Sequence, residues 1–79
     1  MNQDDFLIAV SKALEVDRAK INMKLKIGDL EEWDSLGHLT ILSSLDSLTE
    51  GKASVINNFG ALESLQLIWT ALNDAGLTK

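Results

Sequence analysis

Residues 33–48 of this chain read WDSLGHLTILSSLDSL, which combines a helix start signal with a regular series of leucines. Asp34 and Ser35 are both suited to cap a helix, so we predict that a helix begins at one of them and runs to about residue 50. Gly51 is suited to end this helix because glycine readily adopts the left-handed conformation. Its apolar stripe is expected to consist of five leucines spaced by three, with Ile41 widening it: Leu36, Leu39, Leu42, Leu45 and Leu48.

Two longer helices and one short helix are predicted around this central helix. Residues 3–15 carry apolar side chains at three- and four-residue spacing after the N-cap candidate Asn2. A last helix is expected to begin at Ser64 and to be closed by Gly76, and a short helical segment is expected near residues 57–62. The predicted fold class is therefore all-α, a small four-helix bundle of three longer helices and one short helix.

An irregular segment, residues 16–33, separates the first two helices. Its apolar residues recur without one sustained period, and a glycine turn lies within it. A loop of this length is uncommon in a compact domain unless it is functional or fixed to the core. We expect Leu30 and Trp33 to fix it there, and we expect Trp69 of the last helix to be a core residue.

The bulk composition excludes several classes of function. The 79 residues, 46% of them hydrophobic, suffice for one domain spanning residues 1–79, without space for a large enclosed active site. A net charge of -5 repels nucleic acids and anionic lipids. The chain has no cysteine, no signal-peptide pattern and no apolar run long enough to cross a bilayer. We expect a cytoplasmic monomer without nucleic-acid or membrane partners and without a bound metal.

Three serines compete as candidate modification sites. Asp-Ser-Leu occurs at Ser35 and again at Ser47, and Glu-Ser-Leu occurs at Ser64. A phosphate is favoured at a helix N-terminus and disfavoured near the C-terminal end, where Ser47 is expected. Ser64 begins a helix, but too little chain follows to complete a bundle around it. Ser35 is thus the best candidate, and the alternative remains that Asp34 or Ser35 only caps the helix.

Taken together, these features resemble the acyl and peptidyl carrier proteins, in which an Asp-Ser-Leu triplet starts a long second helix. The likeness extends over nearly the whole chain, and WDSLGH is similar to the motif of specialised, often stand-alone carriers. The resemblance implies a non-catalytic protein that holds an acyl or aminoacyl group as a thioester on a phosphopantetheine arm. It also implies two kinds of partner. These are a phosphopantetheinyl transferase that uses coenzyme A, and the loading and transferring enzymes of a lipid, polyketide, peptide or other specialised pathway.

Carried over residue by residue, the resemblance makes Ser35 the attachment site. Asp34 would be the acidic neighbour near the metal of the transferase. His38 lies one helical turn after Ser35, and we expect it in solvent or near the phosphate of the arm. Leu36 would be the exposed apolar contact for partner enzymes, and the partner-facing side of the helix would include Leu39, Thr40, Ser43 and Asp46.

The chain departs from many fatty-acid carriers in the position of its acidic residues. Those carriers place acids directly after Ser-Leu and along the second helix, whereas residues 37–44 carry none here. We therefore expect a dedicated set of partners rather than the general enzymes of fatty-acid synthesis. The acidic residues lie upstream instead, at Asp29, Glu31, Glu32 and Asp34.

Two alternatives come from other functional classes. In the first, the chain is a small helical interaction module whose Leu36 and Leu39 dock a partner helix, and Ser35 is only a cap. In the second, Asp34, Ser35 and His38 form the triad of a minimal hydrolase. A triad needs convergent geometry and an oxyanion hole, which three near-adjacent residues at an exposed helix start do not supply. An Asp34 and His38 metal pair lacks an obvious third ligand.

Overall fold

The computed structural model of the protein describes residues 1–78. Within that range there are three α-helices: α1 (Gln3–Leu14), α2 (Ser35–Leu48) and α3 (Leu65–Asp74). The predicted all-α class is confirmed. The described residues contain one isolated β-bridge, between Lys26 and Ser64, and it belongs to no strand. Three one-turn 3-10 helices complete the secondary structure, at Arg18–Lys20, Ala53–Val55 and Phe59–Ala61.

The short helix predicted near residues 57–62 is a 3-10 turn rather than an α-helix. Phe59–Ala61 forms a single turn, and its flanking residue Asn58 has a left-handed backbone with φ of 60°. Phe59 is buried and anchors the turn to the core, as its apolar side chain suggests. The segment has too few residues to complete an α-helix before the next helix begins.

Reciprocal side-chain hydrogen bonds start α1 at the predicted residue. The side chain of Asn2 accepts from the backbone N–H of Asp5 over 2.8 Å, and the Asp5 carboxylate accepts from the N–H of Asn2 over 3.3 Å. This capping box satisfies two of the N–H groups that a helix start leaves free. The helix ends at Glu15, which is left-handed with φ of 57°, and Val16 then donates to the carbonyl of Ser11 over 3.0 Å.

The core-facing side of α2 differs from the predicted leucine stripe. The buried residues of the helix are His38, Ile41 and Leu45, whereas Leu36, Leu39 and Leu48 are exposed. Successive residues of an α-helix are turned by about 100°, so a strict spacing of three turns the leucine row by about 60° at every step. A row of five leucines therefore winds around the helix, and only part of it reaches the core.

The core forms where α1 and α2 pack in opposite directions and α3 closes over them. Leu14 at the end of α1 lies beside Gly37 at the start of α2, and Asp5 in the first turn of α1 shares a groove with Leu48 in the last turn of α2. Trp69 is only half-buried and packs its ring against Phe6 with centroids 5.2 Å apart, so its predicted place in the core is confirmed in part. The fully buried side chains are Phe6, Val10, Trp33, Ile41, Leu45, Leu65, Ile68 and Leu72.

The C-terminal ends of α2 and α3 are closed by left-handed residues. In α3, Gly76 has φ of 75° and Leu77 donates to the carbonyl of Leu72 over 2.9 Å, as predicted. In α2 the left-handed conformation begins one residue earlier than predicted, at Glu50 with φ of 58°, and continues at Gly51 with φ of 85°. The backbone N–H of Gly51 then reaches the carbonyl of Asp46 over 2.7 Å.

Candidate functional site

The loop that leads into α2 is fixed to the core by Trp33. This side chain is completely buried, as predicted. Its backbone N–H donates to the carbonyl of Leu30 over 3.0 Å, and its carbonyl accepts from the N–H of Gly28 over 3.1 Å. Because Gly28 has φ of 93°, a conformation that glycine adopts readily, the loop turns sharply before Trp33. The residue that precedes Asp34 and Ser35 is therefore held by both its side chain and its backbone.

A buried polar chain connects this loop to α2 and to the 3-10 turn at Phe59–Ala61. The indole Nε1 of Trp33 donates to Nδ1 of His38 over 3.0 Å. Since Nδ1 acts as the acceptor, the imidazole proton lies on Nε2, which is 2.9 Å from the carbonyl oxygen of Phe59 and donates to it. The neutral imidazole thus satisfies a donor from one segment and an acceptor from another. Its ring lies 6.0 Å from that of Trp33 and 4.6 Å from that of Phe59.

The prediction that His38 lies in solvent or near the phosphate of an arm is wrong. Its side chain is only 5% exposed, and both ring nitrogens are engaged inside the protein. The reason is its place on α2, where it shares the buried face with Ile41 three residues later. A separation of three residues places His38 one turn after Ser35 but does not bring its side chain to the surface. The side chain instead follows the core face.

Close backbone contact explains the glycine between Leu36 and His38. A Cβ atom at Gly37 would run into the carbonyl oxygen of Glu32 and would lie 2.9 Å from Cδ2 of Leu14. A carbonyl oxygen of a fixed loop has little freedom to move aside. Any larger residue at this position would therefore push the loop away from the helix.

Asp34, and not Ser35, caps α2. Its Oδ1 accepts from the backbone N–H of Gly37 over 2.8 Å, and its backbone is extended, as an N-cap requires. Ser35 is the first residue of the helix, and its hydroxyl takes no part in the cap. The interpretation of Ser35 as only a helix cap is therefore wrong, because the neighbouring carboxylate already fills that role.

The Ser35 hydroxyl is exposed and makes no hydrogen bond with any residue in the range 1–78. The backbone N–H groups of Ser35 and Leu36 also have no acceptor within residues 1–78. The carboxylate of Asp34 accepts from the N–H of Gly37 instead. Free N–H groups at a helix start, together with the positive end of the helix dipole, favour an anion such as a phosphate. The geometry thus leaves a nucleophilic oxygen and two free donors side by side.

The competing serines lie in different surroundings. Ser64 caps α3, and its hydroxyl accepts from the backbone N–H of Leu67 over 3.1 Å, so it is used structurally. Ser47 is exposed in the last turn of α2, at the negative end of the helix dipole, as predicted. Of the three serines, only Ser35 combines a free hydroxyl with a helix start.

The outer face of α2 carries most of the residues predicted to contact partners. Leu36 is 72% exposed and Leu39 is 61% exposed. Thr40 and Ser43 are exposed one turn and two turns after Leu36. Asp46 differs from these exposed residues because it is half-buried. Its carboxylate accepts a hydrogen bond from the backbone N–H of Ser54 over 3.0 Å. Asp46 therefore holds the loop that follows the helix, a role that its sequence position did not suggest.

Asp34, Ser35 and His38 do not converge into a hydrolase triad. The imidazole is bonded to Trp33 and Phe59, and the Asp34 carboxylate is bonded to a backbone N–H. Neither group is directed at the Ser35 hydroxyl by a hydrogen bond. In residues 1–78 no group of three or more His, Asp or Glu side chains is arranged to hold a metal ion.

A groove between α1 and α2 lies away from Ser35. It has a volume of about 560 Å³ and runs between α1 and α2, with Ile8 and Ala9 on one wall and Ser44 and Leu48 on the other. Along α2, Leu48 is separated from Ser35 by about 20 Å, at 1.5 Å per residue. The groove therefore does not adjoin the candidate attachment site.

Comparison with family models, with curated proteins and with solved structures gives no significant match. None of the helices within residues 1–78 has the length and apolar character needed to cross a bilayer. Function must therefore be inferred from the residues and geometry of the chain.

Proposed function

We propose that this protein is a carrier whose Ser35 receives a phosphopantetheine arm from coenzyme A. The observation that carries the proposal is the free, exposed Ser35 hydroxyl at the first position of α2, directly after a loop fixed by Trp33. The arm holds an acyl or aminoacyl group as a thioester and presents it to loading and transferring enzymes. The protein performs no chemistry on this cargo, and its flexible arm raises the local concentration of the cargo at each partner.

The attachment reaction needs little from the carrier itself. The Ser35 oxygen attacks the phosphorus that bears the pantetheine group, the anhydride bond of coenzyme A breaks, and the nucleotide leaves with the electron pair. The hydroxyl proton passes to a base of the transferase. The free N–H groups of Ser35 and Leu36 favour the phosphodiester that results. Asp34 contributes by fixing the helix start, and its carboxylate lies next in sequence to the modified residue.

The order of elements along the chain supports the same proposal. A first helix, a long fixed loop, a long second helix and a closing helix follow one another, as the carrier resemblance implies. The 3-10 turn at Phe59–Ala61 takes the place of the short third helix of a four-helix carrier. We propose that the domain works as a cytoplasmic monomer, and its net charge of -5 suits partners with basic docking surfaces.

The direct test is modification by a promiscuous phosphopantetheinyl transferase with magnesium and coenzyme A, followed by intact-mass measurement. We expect the wild-type chain to gain one phosphopantetheinyl group and the Ser35→Ala variant to gain none. Ser47→Ala is the matched control, because it removes the serine of the second Asp-Ser-Leu and should still be modified. An unmodified wild-type chain, or a mass gain that survives Ser35→Ala, would show that the proposal is wrong.

A second candidate function, a helical interaction module, rests on the exposure of Leu36 and Leu39. In this case the two leucines bind a partner helix and no modification of Ser35 is needed. Two results would distinguish this function. The Ser35→Ala variant, which cannot be modified, should still bind the partner, and the Leu36→Ala variant should not. A carrier in that assay would lose function with either change.

A further inference from the structure

Two side-chain hydrogen bonds enclose Ser35, one inside the other. The inner bond joins the carboxylate of Asp34 to the backbone N–H of Gly37 over 2.8 Å. The outer bond joins Nε1 of Trp33 to Nδ1 of His38 over 3.0 Å. We call this outer bond the Trp33–His38 clasp. Because its two residues stand on either side of Ser35 in the chain, the clasp closes the backbone segment that carries the candidate attachment site.

The two bonds differ in their surroundings. The bond made by Asp34 is exposed to solvent, whereas Trp33 is completely buried and His38 is only 5% exposed. Water can replace a partner in an exposed hydrogen bond, but breaking a buried one leaves a polar group without any partner. The clasp is therefore the stronger restraint on the backbone around Ser35.

The two ring nitrogens of His38 connect α2 to different segments. Nδ1 accepts from Trp33 in the loop that precedes Ser35. Nε2 donates to the carbonyl oxygen of Phe59 over 2.9 Å, in a segment that follows α2. Only the Nδ1 bond spans the candidate attachment site. A substitution that removes one bond and keeps the other can therefore separate the restraint on Ser35 from the general stability of the core.

From this arrangement we infer that His38 is a positioning residue for the modification of Ser35. Through the clasp it holds the loop and the first turn of α2 in a fixed arrangement, so the hydroxyl is already placed for attack on the incoming phosphorus. A reacting group that is held in place loses less freedom on reaching the transition state. His38 itself contacts neither reacting group. The inference rests on the proposed function, because it describes how the same site is kept ready for the transferase.

Asn and Gln at position 38 separate the two bonds of the imidazole. The amide oxygen of Asn is two bonds from Cβ, as Nδ1 of His is, so it can accept from Trp33. The amide nitrogen of Gln is three bonds from Cβ, as Nε2 of His is, so it can donate to the carbonyl of Phe59. His38→Asn thus keeps the clasp and His38→Gln keeps the bond to Phe59. Each variant loses one buried hydrogen bond, which makes the two a matched pair.

The test measures kcat and KM of the transferase for each variant, with coenzyme A and magnesium held constant. The temperature is chosen so that circular dichroism shows every variant to be folded. We expect His38→Gln to lose about tenfold in kcat, because its Ser35 hydroxyl is no longer held in place. KM for the carrier should change little, since the residues on the outer face of α2 are unaltered. His38→Asn should retain most of the wild-type kcat.

Trp33→Phe breaks the clasp from its other side, because it keeps an aromatic ring and removes the indole N–H. We expect it to lower kcat about as much as His38→Gln does. In the Trp33→Phe background, His38→Asn and His38→Gln should give equal kcat, since no donor remains for the amide of Asn. Trp33→Phe alone tests the inference if a variant at position 38 does not fold.

The indole N–H signals in a proton NMR spectrum report on the clasp directly. The chain has two tryptophans, and Trp69 is the internal control because its indole N–H makes no hydrogen bond within residues 1–78. The indole proton of Trp33 should exchange slowly with solvent in the wild-type chain and in His38→Asn. In His38→Gln it should exchange faster, in parallel with the loss of kcat.

The outcomes separate the inference from the proposed function. If His38→Asn loses as much kcat as His38→Gln, or more, the clasp does not position Ser35 and the inference is overturned. A change confined to KM also overturns it, because binding rather than placement of the hydroxyl would then be affected. In both cases Ser35 is still modified and the carrier assignment stands. A wild-type chain that is never modified overturns both.

Discussion

Nε1 of Trp33 donates to Nδ1 of His38 over 3.0 Å, and both side chains are buried. This pair joins the loop before the candidate site to the helix that carries the site. A buried polar group that loses its partner costs free energy, so each of the two side chains depends on the other.

Replacing His38 should test that dependence. In His38→Phe the ring is kept, but the Trp33 N–H and the Phe59 carbonyl lose their partner, so we expect a loss of about 3 kcal/mol in the free energy of unfolding, measured by urea denaturation. Trp33→Phe should also destabilise the protein. The double variant should lose less than the sum of the two by about 1 kcal/mol, because no unpaired indole N–H remains. Strict additivity would mean that the hydrogen bond contributes nothing.

A second prediction concerns Gly37. Gly37→Ala should lower the free energy of unfolding by about 2 kcal/mol, since a Cβ meets the carbonyl of Glu32 and the side chain of Leu14. Thermal unfolding followed by circular dichroism measures the effect. Gly60→Ala is the control, because a Cβ there meets no atom within 4 Å. Equal effects at the two glycines would contradict the close contact.

The cap of α2 gives a third prediction. Asp34→Ala should cost about 1 kcal/mol of stability because it removes the acceptor for the Gly37 N–H. Ser35→Ala should leave the free energy of unfolding nearly unchanged, since its hydroxyl makes no cap. Chemical denaturation of the two variants under the same conditions compares them. A larger loss for Ser35→Ala would assign the cap to the serine.

A fourth prediction concerns the two left-handed glutamates. Glu15 and Glu50 have φ of 57° and 58°, a conformation that costs a residue with a Cβ about 1 kcal/mol, and both stand at the negative end of a helix dipole. Glu15→Gly and Glu50→Gly should each raise the melting temperature. Glu63→Gly, at a position without positive φ, is the control and should not stabilise. A fall in melting temperature for both variants would show that the Glu side chains contribute more stability than their left-handed backbone conformation costs.

The helices and their caps were predictable because local signals determine them. Asn2, Ser64 and Gly76 act within a few residues of their own position, and a single chain shows those residues directly. Trp33 was predictable because a large aromatic residue at the end of an irregular loop has few other ways to be buried. The all-α class follows from these elements.

The buried face of α2 was harder to predict because its sequence contains two different spacings of apolar residues. The leucines recur every three residues, a spacing that drifts around a straight helix. His38, Ile41 and Leu45 have the three- and four-residue spacing that keeps side chains on one face. His38 falls on the buried face once the orientation of the helix is set by Ile41. The bond to Phe59 joins residues 21 apart in the chain, so no local pattern reveals it.

One imidazole therefore serves as the junction of three separate stretches of chain, and this has a consequence for cooperativity. Lifting the loop breaks the bond to Trp33, and loosening the 3-10 turn breaks the bond to Phe59. Opening either segment leaves a polar group buried without a partner, so partial unfolding next to Ser35 should need nearly as much free energy as unfolding the whole domain. In the proposed carrier, Ser35 would thus stay on a rigid helix start, and the movement between partner enzymes would come from the arm.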